Sequence, residues 1–346
     1  MSDTLRLPRP DDWHLHLRDG ADLEHAVPAT AQSFARALVM PNLRPPVTTV
    51  AAALEYRERI LAAVPPELDF EPYMTLYMTG ELSRDELARA ADAPEVLAVK
   101  LYPAGATTNS AAGVRSIAGI APQLEAMQEL DLPLCVHGES IDPECDVFDR
   151  EKAFIDEELA PLVERFPALR VVFEHITTKQ AAQFVESARE GVVATLTPQH
   201  LLMNRNDLFA GGLRPHHYCL PVLKRREHQE ALRAAVASGS TRFFLGTDSA
   251  PHARGAKESD CGCAGCYSAP AALELYASAF EELGALEAFA GFAARHGADF
   301  YRLPRNDGEV ELRRSSWTVP DELPWSEGGT IVPYWAGREL AWNSRP

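Results

Sequence analysis

The sequence predicts an α/β fold, a (β/α)8 barrel with a short C-terminal appendage, on three observations. Eight short β-branched or apolar runs recur along most of the chain. Between them lie amphipathic segments with apolar residues three and four apart, as in helices packed on a sheet. Side chains able to hold metal ions or carboxylates collect at the C-terminal ends of the runs, where a barrel of this kind carries its chemistry. The last observation decides against an open doubly wound sheet, which the periodicity alone leaves open.

The strand candidates, in order, are Trp13–Leu17, Ala37–Met40, Tyr73–Met78, Val96–Leu101, Leu134–His137, Val171–His175, Val193–Leu196 and Phe243–Thr247. Helical spacing marks Val50–Val64, Leu159–Phe166, Lys179–Ala188 and Arg225–Ala237. Ser83–Ala91 opens on Ser83 with Glu86 three residues on, a capping-box pattern. Met74 and Met78 are expected in the core. The eight units occupy roughly residues 11–285, and no repeat or Gly/Ser linker divides the chain. A single domain over 1–346 is therefore expected, with a C-terminal extension at about 286–346 containing strand-like pieces at Glu309–Leu312 and Thr330–Val332.

Composition narrows the function classes. The chain has 346 residues, 33 Lys+Arg and 50 Asp+Glu, a formal net charge of −17. A nucleic-acid binder would carry the opposite excess. With 46% apolar residues the chain is too hydrophobic for disorder, and no apolar run approaches the roughly 18 residues of a membrane span. Met1–Asp12 lacks an apolar core, so no export signal is expected there. Neither a nucleic-acid nor a membrane partner is expected. A cytoplasmic protein whose six cysteines are reduced is the expectation.

The polar residues at strand ends carry the chemistry. His14 and His16 are two apart, so on a strand both imidazoles face one way, and neutral imidazole is a good zinc ligand; alone, the pair equally suits surface or core histidines. Lys100 stands inside the apolar run Val96–Leu101. There it either snorkels outward or is desolvated, its pKa falling until the neutral amine can capture carbon dioxide as a carbamate. His137 and His175 each stand at a strand end, and Asp248 follows another, where by itself it suits a helix cap. Jointly, His14, His16, carboxylated Lys100, His137, His175 and Asp248 fill two adjacent metal sites.

The motifs Asp11–Asp19 (DDWHLHLRD), Met40–Asn42 (MPN), Lys100–Pro103 (KLYP), Val136–Glu139 (VHGE), Phe173–His175 (FEH), Arg214–Pro221 (RPHHYCLP), Gly246–His252 (GTDSAPH) and Cys261–Cys266 (CGCAGC) complete the pattern. On these residues the chain resembles the dihydroorotases of the metal-dependent amidohydrolase superfamily, the short bacterial type, from about residue 9 to 285. The resemblance implies a binuclear zinc centre: His14, His16 and Asp248 on one ion, His137 and His175 on the other, with Lys100 as N6-carboxylysine and a hydroxide bridging both. It implies Asp248 as general acid/base in the interconversion of N-carbamoyl-L-aspartate and L-dihydroorotate in pyrimidine biosynthesis. Arg18, Asn42 and His252 would bind the substrate carboxylate that takes no part in the chemistry. Backbone groups of Leu220 and Ala264 would meet the ring edge. Thr107 and Thr108 would close over substrate from a mobile loop. Relatives imply a homodimer.

The cysteine cluster Cys261, Cys263 and Cys266 lacks an obvious fourth zinc ligand and is read as part of a substrate loop. His25, His228 and His296 are read as ordinary residues, and His200, His216 and His217 receive no role. Two alternatives stand beside dihydroorotase: a hydantoinase or allantoinase, and a metal-free barrel serving as an interaction protein. Carboxylate-binding residues speak against the first and the full ligand set against the second. Because the expected substrate is an anion, the charge of −17 steers it away, so attraction must be local, from the metal ions, Arg18 and His252.

Overall fold

The computed structural model describes residues 3–345; Met1, Ser2 and Pro346 lie outside the described residues. Strand β1 (Thr4–Pro8) precedes eight parallel strands: β2 (Asp11–Leu15), β3 (Arg36–Val39), β4 (Glu71–Tyr77), β5 (Val96–Leu101), β6 (Leu134–Val136), β7 (Val171–Phe173), β8 (Val192–Leu196) and β9 (Phe243–Leu245). These pair in chain order from β2 to β9, with crossover segments between them, as expected for the barrel. The seam between first and last strands is bridged just past β9. Asp248 N donates to His14 O (2.8 Å) and His16 N donates to Ser249 O (2.9 Å).

Alternation along the strands sorts the side chains into two layers. Val99 and Leu101, Leu134 and Val136, Val171 and Phe173, and Phe243 and Leu245 join the core shared with the surrounding helices. Leu38, Met40, Ala98, Cys135, Val172, Val193 and Phe244 form a second apolar cluster with Trp13 and Tyr301. Two residues beyond these inner positions stand Lys100, His137, Glu174, Thr195 and Gly246, all buried. The inner wall is thus apolar at one end and polar at the other. Gly246 permits close approach there, since a Cβ would lie 2.8 Å from Thr195 Cβ and 3.0 Å from His14 Cβ. The helices Leu286–Ala294 and His296–Tyr301 follow the barrel, and Tyr301 stacks on Trp13 at 4.7 Å.

Several local expectations shift. The first strand ends at Leu15 with an irregular register between Asp12 and Leu15, so His16 lies just past it. Ser83 caps its helix, accepting from Glu86 N (3.2 Å), but the reciprocal half of the capping box is absent. Glu86 instead accepts from Val50 N at the start of the helix Val50–Ala62 (2.6 Å) and pairs with Arg89. A neighbouring helix's free N–H groups compete for the same carboxylate. In the tail the piece expected at Glu309–Leu312 runs on as β10 (Glu309–Thr318), and the one expected at Thr330–Val332 ends a residue earlier as β12 (Thr330–Ile331). Two strands not expected, β11 (Leu323–Pro324) and β13 (Glu339–Asn343), join them, with β10 between β1 and β13. Strand β1, which alternates Leu5 and Leu7 with Thr4 and Arg6 but is not among the expected strands, is held by this pairing with β10. Met74 and Met78 are fully packed.

Glu151 holds the turn after β7. Its fully buried carboxylate accepts from Thr177 N (2.8 Å), Thr178 N (2.7 Å) and both hydroxyls (2.9 and 2.5 Å). Glu151→Leu leaves four donors unpaired and is expected to cost about 3–5 kcal/mol, the range for breaking a buried charged network from one side. Urea unfolding measures it, and a loss under 1 kcal/mol would refute the role.

Candidate metal centre and active site

The site forms where the polar end of the barrel wall meets the seam. His14 comes from β2 and His16 from just beyond it. Asp248 stands after β9, brought to them by the two seam hydrogen bonds. Its Oδ1 lies 3.1 Å from His16 Nε2 and 3.4 Å from His14 Nε2. His14, His16 and Asp248 have ligand atoms within 4.8 Å of one another, the metal-capable group among the described residues. His175 meets His14 at a ring separation of 4.9 Å and His137 at 4.8 Å, so four imidazoles converge. His175 (φ 41°), Asp248 (φ 46°) and Arg18 (φ 64°) adopt left-handed backbone conformations that non-glycine residues seldom take. Such strain collects at functional sites.

Outer partners orient three of the four rings. His14 Nδ1 pairs with Glu174 Oε2 (2.7 Å), His16 Nδ1 with Asn42 Oδ1 (2.8 Å) and His137 Nε2 with Glu139 Oε2 (3.0 Å). Asn42 Nδ2 donates to Thr108 O (3.0 Å), so its Oδ1 must accept from His16. His16 Nε2 therefore faces Asp248 with a lone pair. Burial pushes the His16 pKa down to about 4, so protonation does not supply the missing positive charge near neutral pH. A bare nitrogen and a carboxylate oxygen 3.1 Å apart suit a cation bound to both. The second pair agrees: His137 Nδ1 and His175 Nε2 are 3.2 Å apart, near the roughly 3.3 Å that two ligands of a tetrahedral ion at 2.0–2.1 Å span. The donor set of His14, His16 and Asp248 fits a divalent cation.

Lys100 lies between these groups. It is fully buried, and its Nζ has no hydrogen-bond partner, although the Tyr102 ring centroid is 5.2 Å away. Burial lowers its pKa against the opposing pull of Glu174. An isolated buried ammonium is costly, and this is the environment in which a neutral, reactive amine persists. Burial alone would raise the pKa of Asp248, but the surrounding imidazoles, His14 foremost, outweigh it and hold the carboxyl well below its ordinary range.

A cavity beside the histidines is lined by His16, Arg18, Asn42, Thr107, Thr108, His137, His175, Leu220, Asp248 and Ala264, together with Tyr102. Of the site residues expected from the sequence, all but His14, Lys100 and His252 line it. His252 stands behind this wall, its Nε2 2.9 Å from Arg18 Nη2 and 3.0 Å from Ala264 O. Asn42 orients His16 and ties down the loop at Thr107 and Thr108. Sequence reasoning assigned no role to Glu174, Glu139 or Tyr102, although all three stand within quoted motifs. The available signal was a charged residue adjoining a strand-end histidine. Cys261 and Cys263 lie 3.6 Å apart with Cys261 exposed, while Cys266 is buried against His216 O.

The sequence pattern of the amidohydrolase family matches residues 12–322. A dihydroorotase of Laribacter hongkongensis is 63% identical over 341 residues, 98% of this chain and 99% of its own. The chain belongs to the dihydroorotases of the amidohydrolase family. Its fold superposes on the crystal structure of a Campylobacter jejuni dihydroorotase with a TM-score of 0.91 at 37% identity, covering 100% of this chain and 98% of that one. A Saccharomyces cerevisiae dihydroorotase in complex with 5-fluoroorotic acid gives 0.91 at 33% identity, with 99% and 98% covered. As a member of this family the chain is a cyclic amide hydrolase of a metal-dependent class. No helix among the described residues is long and apolar enough to cross a membrane.

Proposed function

We propose that the protein interconverts N-carbamoyl-L-aspartate and L-dihydroorotate in pyrimidine biosynthesis, as a cytoplasmic homodimer acting on small molecules. The reading rests above all on the buried, unpartnered Lys100 amine set among four converging histidines and Asp248. His14, His16 and Asp248 would hold one zinc ion, His137 and His175 the other, and Lys100, carried as its carbamate, both. When bound, the two ions lower the pKa of the attacking water and polarise the amide carbonyl. Asp248 accepts the proton released in ring opening and returns it to the leaving amide nitrogen. Thr107 and Thr108 exclude water from above.

Arg18, His252 and Asn42 would take the spectator carboxylate. Arg18 Nε is spent on Pro251 O (2.9 Å), which aims the guanidinium, while Nη2 reaches His252. Arg18→Met is expected to raise KM for dihydroorotate about 10–150-fold, the equivalent of losing a charged hydrogen bond of about 1.5–3 kcal/mol. Steady-state kinetics checks it, and an unchanged KM would remove Arg18 from the subsite.

Turnover of dihydroorotate and of hydantoin by the purified protein, with zinc measured per chain, tests the whole reading. Dihydroorotate turnover with close to two zinc ions per chain is expected. Turnover of hydantoin alone, which has no carboxylate for Arg18, would favour a hydantoinase. Less than one zinc per chain, with no activity after zinc is supplied, would overturn catalysis altogether.

A further inference from the structure

Lys257 is buried, 3% exposed, yet its three ammonium donors end on backbone oxygens. Nζ lies 2.8 Å from Tyr218 O, 2.8 Å from Cys263 O and 2.8 Å from Gly265 O. An ammonium has only three hydrogens, so its whole hydrogen-bonding capacity serves two chain segments. One segment continues to Leu220 and the other contains Ala264, the two backbone elements of the cavity wall. Gly265 N also donates to Tyr218 O (3.0 Å), and Ala264 O is met by His252 Nε2 (3.0 Å) and Thr108 Oγ1 (3.5 Å).

The loop at 262–265 holds one strained residue: Cys263 (φ 23°) has a positive φ that a side chain disfavours, between Gly262 (φ 66°) and Gly265 (φ 151°), which adopt theirs freely, and a Cβ at Gly265 would lie 2.8 Å from Ala250 O. Carbonyl groups turned toward one point repel one another unless a cation gathers them. Strained backbone persists where its surroundings over-determine it. Lys257 supplies that determination. Burial lowers the pKa of both Lys257 and His252, and the neighbouring charges of Arg18 and Lys257 lower that of His252 further.

We propose that Lys257 is a positioning residue for substrate binding: its ammonium gathers the carbonyls of Tyr218, Cys263 and Gly265, fixing the backbone at Leu220 and Ala264 and adding positive potential behind the carboxylate subsite. The inference rests on the dihydroorotase reading. It predicts a defect in binding and little in the chemical step, because Lys257 touches neither the histidines nor Asp248.

Lys257→Met and Lys257→Gln, compared with wild type, test it by steady-state kinetics, zinc content, calorimetric binding of 5-fluoroorotate and amide hydrogen exchange. The expected result is a rise of tenfold or more in KM and in the 5-fluoroorotate Kd, with kcat within threefold and zinc unchanged. Exchange should accelerate at 218–220 and 263–266 together. KM and Kd within twofold of wild type in a folded variant would overturn the proposal, as would a loss confined to kcat. Should Lys257→Met not fold, Lys257→Arg carries the test, since it keeps the charge but cannot set one donor on three carbonyls; an unchanged KM there would overturn the geometric role. If wild type itself leaves dihydroorotate untouched, the functional reading fails; if wild type is active and the variants match it, only the role of Lys257 fails.

Discussion

Lys100→Ala is expected to leave a folded protein with less than one zinc ion per chain and dihydroorotate turnover reduced by more than about 100-fold. Losing one outer partner of a metal ligand typically costs 10–100-fold in affinity or activity, and Lys100 would join both ions directly. The chemistry follows from burial: the side chain is fully enclosed, and its Nζ has no hydrogen-bond partner. An ammonium that snorkels to solvent would show neither property. Short carboxylic acids added to Lys100→Ala should restore part of the zinc and part of the rate, since they return two oxygens to the space the carbamate would fill. Lys100→Met supplies a second readout. Replacing a buried, unpartnered amine by an apolar chain of similar length should raise the melting temperature of metal-free protein, because the cost of burying that polar group disappears. Zinc content and rate equal to wild type in Lys100→Ala would refute the bridging role.

Asp248→Asn is expected to lower kcat in both directions by about 10²–10⁴-fold, the range for a positioned general acid/base, with KM changed only a few-fold. The carboxyl is held well below its ordinary pKa range by the surrounding imidazoles, His14 foremost, which outweigh the opposing effect of burial. It therefore stands ready to accept a proton rather than being occupied by one. Asparagine keeps the shape and the single oxygen 3.1 Å from His16 Nε2 but has no basic site. Zinc content must be measured in the same sample, because Asp248 also belongs to the metal-capable group with His14 and His16. A variant with full zinc and a kcat within threefold of wild type would assign the proton transfer elsewhere.

Much of this site was legible because strand ends announce themselves. Lys100, His137 and His175 each interrupt or close an apolar run, and a polar residue in that place is unusual enough to notice. The bounds of the eight strands came close, differing mainly at C-terminal ends, where the chain leaves the ladder as it enters the site. The outer partners were harder to see. Glu174 and Glu139 stand one and two residues from histidines, and nothing local says that Glu174 reaches His14 across 160 positions while Glu139 turns back on His137. Glu86 shows the same limit: its spacing from Ser83 matches a capping box, but the side chain goes to Val50 on another helix. Lys257 lay outside every quoted pattern, since its partners are carbonyl groups that any sequence would supply.

The order of eight alternating units, the apolar patterning that makes them strands and helices, and the identity of the strand-end histidines, lysine and aspartate are determined by the sequence itself. They depend on side-chain chemistry and spacing along the chain. Closure was decided only in three dimensions. The hydrogen bonds Asp248 N to His14 O and His16 N to Ser249 O join the first strand region to the last, bringing together groups more than 230 positions apart. A barrel has no edge to reveal in a linear pattern, because the backbone donors and acceptors that close it are common to every residue. That seam is where His14, His16 and Asp248 meet, so the step the sequence could not display is the one that assembles the metal-capable group.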